Sequence, residues 1–431
     1  MPERLFTPRF FVMCGFSFTV FLSAFQLLPT APFHIIDLGG STFASGLFLG
    51  FLTYSSAFSA PLTGAYADRV GSRRVLIVSS LSLVVFSMLY AVITNVALLL
   101  ALVLIHGVFW SGLLSASAAY MTNLLPERRR AEGIGYWGLS TLAAVAVAPT
   151  VGFWIYSHGW LWLCVLSAAL NLVMAIIATR LHDQPRAAAA DAPQSKGVLE
   201  WRVLIISITL ALYSFGYGGI TSFTALYADA SGVTPKGLYL TTLAIVILLT
   251  RPLFGRLGDL LGYREVFIPC LVFIACGLGV LAFGGSRTLL LASAIIFGVG
   301  FGTAYPTYVG YVMKDVSAER RGAAFGAILA AFDMGIGTGS TTMGWIIQHY
   351  SFSAAFGVAA LLAALALPYF LFVDRFYSAA AAGSSEPHSS HSQGQWDKDH
   401  KAAVATELKP HSHADVDTPP GHGRSRLTEE G

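Results

Sequence analysis

Long apolar stretches separated by short polar loops run through most of this chain, and they decide what it can fold into. A helix needs roughly 20 apolar residues to cross about 30 Å of hydrocarbon. With 11% charged residues and a mean hydropathy of +0.66, the chain is far less polar than soluble domains, which carry roughly 25%. The sequence predicts an all-α membrane protein with twelve transmembrane spans, at residues 10–32, 44–66, 74–94, 96–120, 132–156, 160–180, 202–228, 237–258, 265–284, 288–313, 322–346 and 353–375.

The basic residues of the loops predict the orientation. Lys and Arg concentrate in the N-terminus and the even-numbered loops, whereas the odd-numbered loops contain only Lys236 and Arg287. Because basic loops stay on the cytoplasmic side, we expect both termini in the cytoplasm and the chain in the inner membrane. Arg4 and Arg9 precede an apolar stretch that is too long for a signal peptide, so the first stretch is predicted to be a span.

The chain divides into two similar halves. Residues 61–73 and 252–264 match at a constant offset of 191. The sequence predicts two six-helix repeats around a central cavity, a design known among transporters. The predicted domains are residues 1–180, a cytoplasmic linker 181–200, residues 201–376, and a disordered, His-rich cytoplasmic tail 377–431.

The repeated loop resembles the signature loop of the major facilitator superfamily. The resemblance of the chain to this family covers roughly residues 8–376. The first copy, between spans 2 and 3, contains Gly64, Asp68, Arg69, Gly71, Arg73 and Arg74. The second, degenerate copy, between spans 8 and 9, contains Gly255, Asp259, Gly262 and Arg264. The resemblance implies the fold of that family and transport by alternating access.

The physical chemistry of this loop favours a gate. Asp68 could sit at the positive N-terminus of another helix and pair with Arg73, latching the two halves on the cytoplasmic side. Leu260 replaces the arginine after the second aspartate, so the second latch is expected to be weaker. The alternative is a solvated loop that orients the protein by charge, which explains the arginines but not the spacing of the glycines and the aspartate.

Span 5 resembles the glycine-proline motif of the family's exchangers at Gly138, Ala148, Pro149 and Gly152, with Ala148 where glycine is usual. Small residues permit close helix packing and proline bends a helix. The motif favours exchange over co-transport, although an ordinary packing seam explains much of the same pattern.

Three ionisable residues inside spans are candidates for proton coupling: His106, Arg251 and Asp333. Span 4 has Val103 where the family often has an arginine, so coupling must use another group. Charged groups inside membranes are costly to bury and typically functional. Asp333 and Arg251 could form a charge pair or share a water pocket, or serve only to fix span 8 against span 11. His106 could titrate, or be a neutral, hydrogen-bonded histidine beside Trp110.

Polar and aromatic residues with helical spacing on spans 1 and 7 are expected to line the cavity, because residues three or four apart share a helix face. The cavity candidates are Gln26, Thr30, Trp110, Tyr213, Tyr217, Thr221 and Tyr305. For the tyrosines, anchoring at the membrane interface is the alternative. Such a lining suits a polar or amphipathic organic solute.

Other classes of function fit less well. The chain lacks a phosphate-binding G-x-x-x-x-G-K-[ST] loop and a recognisable catalytic constellation. The four cysteines lie in apolar stretches and indicate no disulfide framework. The net charge of +3 does not indicate nucleic acid. Six tail histidines could bind metal, but a solvated tail is favoured, and we predict no metal site.

The sequence therefore predicts a proton-driven efflux transporter of a small organic solute. It would act as a monomer in the bilayer, with the proton gradient as energy source and no cofactor. The alternatives are a proton-coupled uptake symporter and a transporter-like sensor that signals through its tail. Flux into energised vesicles separates these three.

The arginine asymmetry predicts that a reporter active only outside the cytoplasm stays inactive when fused after Phe376. Activity of the fusion in intact cells measures this. Strong activity would show that the number of spans is odd or that the orientation is reversed.

Overall fold

The computed structural model describes residues 5–126, 129–182, 201–254, 260–314, 316 and 320–384. Twelve helices account for nearly all of these described residues. The first has a turn at residues 28–30 between its segments Pro8–Leu27 and Ala31–Asp37. The helices are Pro8–Asp37 (α1), Thr42–Val70 (α2), Ser72–Val92 (α3), Val96–Leu124 (α4), Arg130–Tyr156 (α5), Trp160–Arg180 (α6), Trp201–Ala230 (α7), Leu238–Phe254 (α8), Tyr263–Ala282 (α9), Arg287–Met313 (α10), Arg321–His349 (α11) and Phe352–Ser384 (α12).

Ten of the helices in the described ranges are long and apolar enough to cross a membrane. The other two are α8, whose apolar part Leu238–Arg251 is shorter, and α11. Helix α11 is rich in glycine, serine and threonine, and it packs against both α2 and α7. Small polar residues suit a helix that faces other helices rather than lipid. The helices follow the predicted spans throughout.

Side-chain caps set several helix starts. Thr7 accepts a hydrogen bond from the amide of Phe10 at the start of α1, over 3.2 Å. Ser41 and Asn95 cap α2 and α4 in the same way. Such a cap satisfies an amide that has no partner within the helix.

A glycine with positive φ joins two helices in each half. Gly71 connects α2 to α3 with φ of 100°, and Gly262 precedes α9 with φ of 101°. Only glycine adopts this conformation without steric cost. The second glycine of each loop copy thus has the same backbone conformation.

The buried apolar residues form two large clusters. One is built from α1 to α4 and α6, with Ile336 of α11 and with partly buried residues of α5 packed against it. The other is built from α7 to α12 and the α7–α8 loop. Each six-helix half therefore has a core of its own. A rigid core in each half is what permits the halves to move against one another as bodies.

The halves meet along two helix pairs, α2 with α11 and α5 with α8. Ser340 donates a hydrogen bond to the carbonyl of Gly46 over 2.8 Å, and the hydroxyls of Thr150 and Thr241 lie 2.9 Å apart. The amide of Phe43 donates to Gln348 over 3.0 Å. We call this end of the bundle, where α2 begins and α11 ends, the closed end.

The opposite end is the arginine-rich end, which contains Arg69, Arg73 and Arg74 at the junction of α2 and α3. The hydrogen bonds, ring contacts and close glycine contacts between two described residues of opposite halves all lie between the closed end and the level of Asp333 and Arg251. Within the described part of the chain, the halves are therefore joined at one end only.

The predicted tail begins later than the sequence suggested. We predicted disorder from Tyr377, but α12 continues to Ser384. Alanine has the highest helix propensity, and four consecutive alanines at residues 379–382 extend the helix. Residues 385–431, including the six tail histidines, and residues 183–200 of the linker lie outside the described residues.

Because the helices pack closely at the closed end, adding one methyl group there is predicted to lower the stability of the protein. In Gly46→Ala, the new Cβ would lie 2.3 Å from the carbonyl oxygen of Ser340, so α2 must move away from α11. Overpacking of this kind costs about 1–3 kcal/mol, and we expect a lower melting temperature for the purified protein. Gly15→Ala is the matched control, because nothing lies within 4 Å of its added Cβ. Equal melting of the two variants would contradict the packing role of Gly46.

Candidate functional site

Asp333 is a carboxylate at the interface between the halves, at the limit of the described contacts that is further from the closed end. It lies on α11, twelve residues beyond Arg321, which is about 18 Å along the helix. Its side chain is half-buried, and Ser56 of α2 donates to its Oδ2 over 3.4 Å. This long bond from the other half is its single hydrogen bond within the described residues. A carboxylate so weakly satisfied in the membrane interior suits binding and release of a proton.

Arg251 lies on α8 and reaches across to the other half. Its Nη1 atom is 3.9 Å from the position that a Cβ of Gly138 on α5 would occupy. The side chain is half-buried, and within the described part of the chain it makes no hydrogen bond or ion pair. The glycine therefore leaves room for a guanidinium at the contact of α5 with α8.

Tyr305 of α10 lies near both charged residues. It interacts electrostatically with both Asp333 and Arg251. Its ring centroid lies 5.1 Å from that of Phe332, the neighbour of Asp333. Of the alternatives predicted for Asp333 and Arg251, the ion pair is not formed in the described structure.

The surroundings of Asp333 contribute further tyrosines but no other charge among the described residues. Helix α7 packs against α11 and brings Tyr213 and Tyr217 near Phe332 and Phe301. Helix α2 brings Ser56 to the same level, while Tyr54 bonds Thr338 nearer the closed end. Asp333 thus accepts a hydrogen bond from Ser56 of α2 and interacts with Tyr305 of α10, while the two tyrosines of α7 lie against the neighbouring rings.

A cavity lies between α1, α5, α7 and α8. Only about 20 Å³ is open to the centres of water molecules, room for one or two waters. An organic solute therefore requires the halves to separate further. The cavity is lined by Phe25, Pro29, Val145, Pro149, Tyr217, Thr221, Leu240, Leu243, Ala244 and Ile247.

The aromatic residues of α7 divide between this cavity and the core. Tyr217 and Thr221 line the cavity, as predicted, and Tyr217 stacks on Phe301 with centroids 4.4 Å apart. Tyr213 does not; it is fully buried in the core of the C-terminal half, against Phe267. Residues four apart share a helix face, but one turn of that face can contact the core while the next turn contacts the cavity.

The prediction that Gln26 and Thr30 line the cavity differs from the structure. Gln26 Nε2 donates to Ser167 of α6 over 2.9 Å, inside the N-terminal half. Thr30 is fully buried and donates to the carbonyl of Gln26 over 2.8 Å. Spacing shows that polar residues share a face, but a neighbouring helix satisfies such a face as well as a cavity does.

His106 has a structural partner. Its Nδ1 lies 2.9 Å from the hydroxyl of Tyr90 on α3, and its ring stacks on Phe86. Trp110 packs edge-on against Phe21 within the same half. Both predicted residues lie in the N-terminal half, away from the described cavity, and the interaction with Tyr90 favours the structural interpretation of His106.

The predicted exchanger motif lies at two helix contacts of α5. Gly152 allows α1 to approach, because an added Cβ would lie 2.8 Å from the carbonyl oxygen of Gln26. Pro149 lines the cavity and lies against Gly237 at the start of α8, while Ala148 is fully buried. Gly138 makes space for Arg251. The motif therefore combines a tight seam within one half with the contact between the halves.

The residues of the predicted gate lie at the arginine-rich end. Asp68 is exposed, and among the described residues it makes no hydrogen bond or ion pair. Arg73 donates to the carbonyl of Thr179 at the end of α6, over 2.8 Å, rather than to Asp68. Gly64, Arg69 and Arg74 accompany them at this end, whereas Gly255 and Asp259 of the second copy lie outside the described residues.

Arg264 of the second copy has a partner that the sequence prediction missed. Its Nε donates to Asp374 of α12 over 2.7 Å, and Tyr311 of α10 donates to the other oxygen of this carboxylate, which is 4% exposed. The internal repeat contained the signal: subtracting 191 from 374 and 311 gives positions 183 and 120, which are also an aspartate and a tyrosine. The ion pair between Arg264 and Asp374 thus joins α9 to α12.

Comparison with known families identifies the architecture. A family model described as Major Facilitator Superfamily matches residues 10–249 and 206–411. Relatives from Salmonella paratyphi C and Escherichia coli K12, both called uncharacterized MFS-type transporter YhhS, are 25% and 24% identical over 361 residues. Each alignment covers 82% of this chain and 89% of the relative.

Solved transporters share the fold. The nucleoside transporter NupG superposes with a TM-score of 0.66 at 16% identity, covering 85% of this chain and 99% of that one. The peptide transporter POT in complex with sulfate gives 0.70 at 14%, with 86% and 95% covered. The human organic anion transporter MFSD10 (TETRAN) gives 0.64 at 17%, with 86% and 100% covered. At these identities the likeness shows the fold alone.

The loop motif predicts unequal effects of two matched substitutions. Asp68→Asn should lose most transport with normal amounts of protein in the membrane, because the carboxylate acts only when the arginine-rich end closes. Asp259→Asn, in the copy that lacks the following arginine, should lose less. Transport per transporter in vesicles is the measurement. Equal loss in both variants, or loss of protein rather than turnover, would contradict a gating role.

Proposed function

Because this chain belongs to the major facilitator superfamily, a family of multi-pass membrane transporters rather than enzymes, we propose that it exports a small organic solute in exchange for protons. It works by alternating access in the inner membrane, with both termini in the cytoplasm and the arginine-rich end facing inward. The proton gradient supplies the energy.

The observation that carries this proposal is the position of Asp333. It is a mid-membrane carboxylate at the contact of the two halves, held by one long hydrogen bond from Ser56 of the other half. A group that gains or loses charge there changes the attraction between the halves. Proton binding can therefore be coupled to their movement.

Exchange follows if the proton and the solute occupy Asp333 in turn. From the arginine-rich end, a solute reaches the level of Asp333 and displaces the proton. Separation of the closed end then requires breaking the contacts of Ser340 with Gly46 and of Thr150 with Thr241. On the outer side, a proton replaces the solute and the carrier returns. Binding energy that differs between the two states drives each step.

Two further observations support this cycle. Among the described residues, Asp68 makes no hydrogen bond and the halves make no contact at the arginine-rich end, which suits a state in which an inner latch is released. The glycines of α5 permit the tight contacts that an exchanger-like motif implies.

The shared fold does not select a substrate. Relatives named for nucleosides, peptides and organic anions have the same architecture, so the side chains around the cavity must decide the substrate.

Proton-coupled uptake is a second candidate, favoured by Arg251. An unpaired cation attracts an anion, and an anion binds better when the nearby Asp333 is protonated and neutral. Solute and proton would then bind together and move in the same direction. Flux into vesicles with an imposed proton gradient distinguishes the two candidates by its sign.

Asp333→Asn should abolish proton-driven transport against a gradient, because an amide cannot carry the proton. Downhill exchange of solute should remain measurable in proteoliposomes. His106→Gln is the matched control, since it removes the other intramembrane candidate, whose hydrogen bond to Tyr90 is structural. Normal pumping by Asp333→Asn with unchanged pH dependence would refute the proposal, and uncoupling by His106→Gln alone would transfer the role to the histidine.

A further inference from the structure

Arg251 is a cation without a counter-charge in the described structure. Its half-buried guanidinium points from α8 toward Gly138 of α5 and makes no hydrogen bond or ion pair with a described residue. A charge in the middle of a membrane costs at least about 2.5 kcal/mol on insertion scales. A cation that only joined helices would be expected to pair with an acid. The position therefore suits a charge whose partner arrives from outside the chain.

Arg251 shares a helix face with the cavity. Leu240, Ala244 and Ile247 line the cavity from α8, and Arg251 follows Ile247 by four residues, about 6 Å along the helix. Residues at this spacing lie on one face. The guanidinium thus stands one turn beyond the apolar lining, toward the arginine-rich end from which an exported solute would arrive.

Asp333 provides the opposite charge at the same interface, and Tyr305 lies near enough to interact with both residues. Opposite charges attract strongly where the dielectric constant is low, yet these two form no ion pair in the described structure. Two separated charges beside an apolar cavity match a molecule that carries both signs and an apolar body.

We infer that the exported solute is dipolar, with an acidic group that binds Arg251, a basic group that binds Asp333 in place of the proton, and an apolar body in the cavity beside Tyr217. The inference rests on the proposed exchange at Asp333. A guanidinium can hold a carboxylate through two parallel hydrogen bonds, which a lysine ammonium cannot do. Small amino-acid-like solutes with apolar side chains have this chemistry.

The sign of the coupling requires the basic group. An acid alone would bind best with Asp333 protonated, and would therefore travel with the proton. A basic group competes with the proton for the carboxylate, and this competition produces exchange. The unpaired Arg251 thus indicates an acidic group on the solute, and exchange at Asp333 indicates a basic group on it.

The test uses sets of probes that share one apolar body. Phenylalanine, 3-phenylpropionate and 2-phenylethylamine form one set; leucine, 4-methylpentanoate and 3-methylbutylamine form the other. Binding to the purified full-length protein is measured by thermal stabilisation across a concentration series. In at least one set, the dipolar probe should bind more tightly than the acid or the amine alone. Absence of a dipolar advantage in both sets overturns the inference, as does tighter binding of the acid alone.

Substitutions of Arg251 test whether this residue binds the acidic group of the solute. Arg251→Gln should weaken binding of the dipolar probe by at least about tenfold, because a charged hydrogen-bond partner is lost, and Arg251→Lys should restore it only in part. The amine probe should be unaffected by Arg251→Gln. Arg129→Gln is the control, since Arg129 pairs with Glu132 on the surface. Equal affinity of Arg251→Gln and the wild type for the dipolar probe overturns the assignment.

Flux separates this inference from the proposed function. If Asp333→Asn loses proton-driven transport while Arg251→Gln binds the dipolar probe normally, exchange stands and the dipolar inference is wrong. If Asp333→Asn pumps normally, the proposed function fails, and the dipolar inference, which rests on it, fails with it even where Arg251 still binds the acid probe.

Discussion

Hydrocarbon provides no hydrogen-bond partners, so every polar group that this chain places in the membrane must find its partner within the protein or in an enclosed water-filled space. The backbone meets this requirement by forming helices. The side chains meet it in two ways. Most pair inside one half, as Gln26 does with Ser167 and His106 with Tyr90. Two charged groups, Arg251 and Asp333, lie instead at the contact between the halves, where alternating access would require the structure to open.

Asymmetry between the two ends follows from where small residues lie. At the closed end, glycines on α2 and α11 bring the two helices close enough for Ser340 to bond the carbonyl of Gly46. Toward the arginine-rich end, the described residues of the two halves make no such contact. Bringing that end together demands charges that can be latched and released, and Asp68 stands exposed there. Packing thus holds one gate and electrostatics would hold the other.

In the proposed cycle, the charged residues and the apolar cavity would act on different parts of a solute. The stacked rings of Tyr217 and Phe301 continue through Phe332 to the position of Asp333, so the apolar wall and the carboxylate are continuous. The aromatic rings provide apolar contact area that does not depend on the orientation of the solute, whereas a charged residue requires a group of opposite charge at a defined position. A dipolar solute would therefore be selected by its charges and retained by its body.

The sequence by itself determined the twelve spans, the repeat and the glycine loops, because apolar length, a constant offset and positive φ are properties of local sequence. Only the tertiary structure decided which neighbour each polar face meets. Gln26 turned inward to α6 and Tyr213 into the core, while Tyr217, one turn further, reached the cavity. Asp374 acquired its role from Arg264, 110 residues away. Helical spacing specifies a direction around one axis, but the packing of the other helices decides what lies in that direction.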